Sequence, residues 1–115
     1  MSVYSITAAA LDALDPIPNA MGVMLGSGGE FPEEYIVYTQ IAGVSRQNAD
    51  NREQERAYTI QVSYYSRNGL AEMPDIDGAM LAAGFQKGPE RELPFNETTL
   101  HHGIAKDYTI LLNQN

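Results

Sequence analysis

The chain has 115 residues, no cysteine and a formal charge of −8, from seven Lys and Arg against fifteen Asp and Glu. That length suits one domain that buries roughly 65% of the surface its unfolded chain exposes, so a modest core needs no disulfide or metal support. The missing cysteines exclude disulfides, thiolate zinc sites and cysteine nucleophiles, and the acidic balance opposes tight nucleic-acid binding, which rests on clustered Lys and Arg.

A hydrophobic content of 43% fits an ordered globular fold over residues 1–115. The N-terminal Met1-Ser-Val-Tyr-Ser-Ile has no basic stretch followed by a long apolar run, so no secretory signal is expected. No run reaches the ~18 apolar residues of a membrane span.

Val3, Ile6, Ala10 and Leu14 recur at helical spacing, with Ala8, Ala9 and Ala13 between them, and predict a helix over 3–14. Pro16 disfavours helical geometry at Asp15 and ends it. Met21–Leu25 reads as a brief strand, followed by a flexible Gly26–Gly29 loop. Tyr35–Ala42 is rich in β-branched and aromatic residues on both faces, as a central or doubly covered strand is. Residues 43–54 have no apolar period and read as a long polar loop.

From 55 to 66 the alternation is clean, with Tyr58, Ile60, Val62 and Tyr64 on one side and Thr59, Gln61 and Ser63 on the other. These two strands form an antiparallel hairpin whose tip projects beyond the sheet. Asn68-Gly69 breaks the strand. Pro74 or Asp75 starts a second helix with Ile76, Met80, Leu81 and Ala83 on its apolar side, Gly84 ends it, and Phe85 returns to the core. Glu90–Phe95 reads as a short strand bounded by Pro89 and Pro94, turning through Thr98–His102 into a last strand carrying Ile104, Tyr108, Ile110 and Leu112. The expected class is α+β: a mostly antiparallel β-sheet with helices packed on one face and a long projecting β-hairpin.

The residues offer little chemistry. Gly26-Ser-Gly-Gly29 is followed by Glu-Phe-Pro and lacks the Lys and hydroxyl of a phosphate cradle. His101 and His102 are adjacent and would point to opposite faces of a strand, so they read as hairpin-turn residues and not as metal ligands. Asp75 and Asp77 suit the start of a helix, and Glu33-Glu34 a solvated loop. Asn96-Glu-Thr98 reads as a chance match to a glycosylation acceptor. No nucleophile elbow or Ser–His–acid set stands out, and no catalytic, cofactor or metal site is expected. Tyr35, Tyr38, Tyr58, Tyr64 and Tyr65 offer more aromatic area than one small core needs, which points to a protein interface.

Pro32-Glu-Glu-Tyr-Ile-Val-Tyr38, the polar loop with Ala49-Asp-Asn51, Tyr58–Ser66, the helix ending in Ala83-Gly84-Phe85 and the closing Ile104–Ile110 together resemble the tail terminator, or tail completion, proteins of long-tailed bacteriophages and prophages. The Gly26–Gly29 loop has no counterpart in that pattern.

The resemblance implies a structural α+β protein without enzymatic activity, which caps the tail tube as a ring, usually of six. Such a ring ends tube polymerisation and offers a surface for head-tail joining. The implied partners are further copies of the chain, the tail tube protein and the head-tail connector protein, with DNA passing through without tight binding and no membrane. The implied location is the virion tail or neck, after assembly in the host cytoplasm.

Arg46, Asp50, Arg52, Glu53 and Arg56, on and beside the polar loop, are the expected contacts to a neighbouring subunit or the tube. Two alternatives stand beside this reading. One is another phage neck or minor capsid component; the other, of a different class, is a ligand-binding domain or enzyme with a pocket near Tyr38, Tyr64 and His102.

Overall fold

The computed structural model describes residues 3–14, 17–21, 32–47, 54–71 and 73–113. The elements in chain order are α1 (Val3–Asp12), β1 (Asn19–Met21), β2 (Glu34–Gln47), β3 (Gln54–Ser66), α2 (Ile76–Ala82), β4 (Gln86–Asn96) and β5 (His101–Asn113). The strands form one sheet in the order β1-β2-β3-β5-β4. Only the β1–β2 pair is parallel. This is the α+β class expected of the sequence.

Val3, Thr7, Ala10 and Leu11 form the buried side of α1. Thr7 is tolerated there because its hydroxyl donates to the Val3 carbonyl oxygen at 2.8 Å, which satisfies the one polar group on that side. The helix tightens through Ala13 and Leu14, whose N–H groups donate to Ala10 and Leu11.

The first strand lies at Asn19–Met21, earlier than the expected 21–25, whose last four residues lie outside the described ones. β1 pairs with β2 only over Ile36–Tyr38. Among the described residues β2 is therefore flanked on both sides over a short stretch and has a single partner, β3, beyond it.

The expected polar loop over 43–54 is corrected: β2 runs to Gln47 and β3 begins at Gln54. Pairing with β3 holds Gly43 to Gln47 extended, despite a run with little intrinsic strand preference. An irregularity between Gln40 and Ala42 resets the register, as a bulge does.

Tyr58, Ile60, Val62 and Tyr64 face the helices, as their alternation predicts, and meet Leu11, Ile76, Met80, Phe85, Ile104, Tyr108 and Ile110 in a single core. α2 begins at Asp75, whose Oδ1 accepts the Gly78 N–H at 2.9 Å. It ends before Gly84, at φ 103° a backbone that L side chains rarely adopt, and Phe85 then turns inward and is buried. Leu81, expected on the apolar side of α2, is 50% exposed, because Ile76 and Met80 take the positions that face the sheet.

β4 is longer than the expected 90–95. Its register breaks between Lys87 and Glu90 and between Leu93 and Asn96, so Pro89 and Pro94 sit where the ladder needs no donor. The turn before β5 occupies 97–100, and Asn96 Oδ1 accepts the N–H groups of Thr98 and Thr99.

The molecule measures 53 × 25 × 23 Å. Both helices lie over one end of the sheet, and the paired ends of β2, β3 and β5 extend past them.

Candidate functional site

Of the five sequence-predicted contact residues, Arg46 and Arg56 lie in the paired ends of β2 and β3. Arg46 stands opposite Glu55 in the β2–β3 ladder, and Arg56 stands between Ser45 and Leu112. Arg56 is half-buried. Asp50, Arg52 and Glu53 lie outside the described residues.

The histidines begin β5 and are not turn residues, because the turn closes at Leu100. As expected they face opposite sides. His101 is buried, with Nε2 2.8 Å from the Pro32 carbonyl oxygen and its ring edge-on to Tyr35 at 5.1 Å. His102 is exposed and lies 4.7 Å from the Phe95 ring.

The tyrosines divide between the two faces. Tyr38 and Tyr64 belong to the helix-side core. Glu34, expected on a solvated loop, opens β2 and accepts a hydrogen bond from the Tyr64 hydroxyl. On the face opposite the helices Tyr35 stacks on Tyr65 at 4.9 Å, and the Tyr65 ring lies across Gly103, where a Cβ would sit 2.9 Å from it. Burial comes first among the causes that raise the Tyr35 hydroxyl pKa, with Tyr65 next.

One polar group of residues was missed by sequence reasoning. Asp77 suits a helix start by its sequence position, yet its side chain crosses to the sheet, where it accepts the Tyr108 hydroxyl and meets Lys87 at 3.1 Å and Lys106 at 3.5 Å. Glu90 completes the group at 3.0 Å from Lys106 and 3.2 Å from Lys87. Lys106 is only 6% exposed and stands in β5 between Ile104 and Tyr108. That lone lysine inside an apolar alternation was the available signal, because a buried ammonium requires carboxylates around it.

Burial alone would raise the Asp77 pKa, but the Tyr108 hydrogen bond, then Lys87 and Lys106, bring it below its ordinary value. Glu90 is lowered by Lys106 and then Lys87. Burial, followed by the Asp77 hydrogen bond, raises Tyr108 strongly. The group fastens α2 and β4 to the centre of β5.

A cavity of about 400 Å³ opens between α1 and α2, lined by Ile6, Ala9, Ala10, Ala13, Ala79, Ala82 and Ala83. It presents apolar side chains and lacks the converging polar groups that orient a small ligand. Of the residues named for the alternative pocket, Tyr38 and Tyr64 are buried in the core and His102 is exposed.

No protein-family model matches the sequence, and no curated protein matches it. Among solved structures the chain is similar to one described as "Virion of native gene transfer agent (GTA) particle", with a TM-score of 0.54 and 11% identity over 98% of this chain and 92% of that one. At that identity the likeness is one of fold, and it spans both chains nearly end to end.

Proposed function

We propose that this chain is a structural component of a phage-like virion, specifically the terminator that caps the tail tube as a ring of six and presents a docking surface to the head connector. The observation that carries this reading is the fold likeness to a chain of a gene transfer agent particle, spanning 98% of this chain. One physical feature supports it. The paired ends of β2, β3 and β5 extend past the helices, as an element reaching a neighbour does. The proposed role is structural and includes no enzymatic activity.

Six copies would carry about −48, so DNA would pass through such a ring without being held. Arg46, Asp50, Arg52, Glu53 and Arg56 would meet the next subunit or the tube. Exposed ion pairs contribute about 0–1 kcal/mol each, so their part is to set geometry. Reversing the charge of Arg52 and of Glu53 separately is expected to reduce ring formation in each variant, measured by light scattering. Normal assembly of both removes these contacts from the interface.

The role itself is tested by electron microscopy of lysates from an induced phage or prophage lacking this gene. The expected result is filled heads without tails beside unattached tails of uncontrolled length. Normal virions would overturn the reading.

A further inference from the structure

Among the described residues, two strand edges are open at the same end of the sheet. β1 covers β2 only at Ile36–Tyr38, and the Gln40 N–H donates to the Tyr4 hydroxyl at 3.1 Å instead of to a strand. On the other side β4 reaches no further along β5 than Gln86 opposite Thr109. The rows Gly43–Tyr58–Ile110 and Ser45–Arg56–Leu112 are therefore three strands wide, bounded by the outer edges of β2 and β5.

Edges that stay unpaired are commonly guarded by charge, proline or bulges, because their free N–H and C=O groups otherwise recruit another strand. β4 is guarded in this way: it carries Lys87, Pro89, Glu90, Arg91, Glu92 and Pro94 and two register breaks. The two open stretches are guarded less. Thr109–Asn113 has no charge, proline or register break, and in Thr39–Gln47 the register break at Gln40–Ala42 lies before the 42–47 run, which has only Arg46. None of the fifteen acidic residues lies in either stretch, so two copies that each carry −8 can meet there without like charges in contact. Ile41 and Leu111 are left 48% and 46% exposed on these same strands.

β2 and β5 are each antiparallel to β3, so both run in the same direction, toward the Gln47 and Asn113 end of the sheet. We infer that residues 42–47 of β2 in one copy pair in parallel with residues 110–113 of β5 in the next copy, continuing the sheet from subunit to subunit. A rotation about an axis along the strands preserves their direction, which makes the pairing parallel and the contact head-to-tail, the kind that closes rings. A twofold pairing of β2 with β2 would leave the β5 edge open. The inference deepens the ring reading and rests on it for closure.

The cysteine-free chain suits a cross-linking test on the full-length protein. Val44 and Leu111 lie in one row with Ala57 between them, two strand spacings or about 9.6 Å apart. That exceeds the ~7 Å limit for a disulfide, so any bridge in the double variant Val44→Cys/Leu111→Cys joins separate copies. Ser45→Cys/Leu111→Cys and Val44→Cys/Leu112→Cys cover neighbouring registers. On mild oxidation at high protein concentration, at least one double variant is expected to give a ladder of covalent multimers, while each single variant stays monomeric.

Single variants that dimerise as well as the doubles, or no bridge in any double, would overturn the pairing. A multimer in light scattering without bridges would remove it while leaving a ring with other contacts. Should the cysteine variants fail to fold, amide hydrogen exchange on the unaltered protein decides the matter. Protection at 42–47 and 110–113 should fall on dilution while that at 86–96 holds. Protection independent of concentration, as when the chain's own residues cover the edge, would overturn the inference.

Discussion

Asp77→Ala is expected to lower the free energy of unfolding by about 2 kcal/mol at neutral pH, since it orphans the Tyr108 hydroxyl and leaves the buried Lys106 ammonium with Glu90 alone. Urea denaturation at pH 7 measures the loss. Lys106→Met should cost less, below about 1 kcal/mol, because the methionine fills similar space and the carboxylates of Asp77 and Glu90, 31% and 40% exposed, still reach water. Equal losses in the two variants would show that the ammonium is not what makes Asp77 necessary.

The pH dependence follows from the same contacts. The Asp77 pKa is depressed on folding, so the stability it contributes is fully present above its unfolded value of about 3.9. That contribution fades as pH falls through the lower folded value. Glu90 behaves likewise from about 4.3. The difference between the wild-type protein and Asp77→Ala should therefore narrow on acidification below pH ~4. A constant difference down to low pH would separate the effect from ionisation.

Ile60→Ala should be the more damaging change, costing about 3 kcal/mol in urea denaturation and at most about 5. Ile60 is fully buried on β3, paired with Gln40 and Tyr108 on either side. Both neighbouring strands are fixed by their ladders, so the site collapses poorly around the lost methyl groups. Against a total of about 5–15 kcal/mol for a domain of this kind, that is a large fraction. Leu81→Ala, at a residue half exposed on α2, should stay within about 0.5 kcal/mol. A comparable loss at Leu81 would mean that a partner surface covers that helix even in the isolated protein.

Much of the architecture was legible because its signals are local. The alternation from Tyr58 to Tyr64 marks a strand with one face covered, and helices supply that cover. Asp75, Gly84 and Phe85 spell a helix start, a left-handed stop and a return to the core.

What escaped depends on distant partners. Gly43, Ser45 and Gln47 carry no strand signal of their own and are extended only because β3 lies beside them. The prolines of β4 disguised an edge strand as a short one, since bulges absorb them. Asp77 resembles any acidic residue in a first helical turn until folding brings it to Lys106, 29 residues away. The predicted contact residues were legible only as a charged run around a hairpin tip. Nothing in their local pattern says what they meet, because that is decided by surfaces outside the chain.

The position of β5 beside β3 has a consequence for how the chain folds. β3 is the middle strand, but only its β2 side can be paired early in synthesis, since β5 is made after both α2 and β4. Until then Ile60, Val62 and Tyr64 lack Ile104 and Tyr108 beside them, and one whole edge of β3 waits for a distant partner. Such pairing across a long stretch of chain is slow to nucleate and exposes apolar strand surface to other nascent chains. Arrival of the last strand is thus the event that completes the core, and a cell making this protein in bulk must carry each copy through that interval without aggregation.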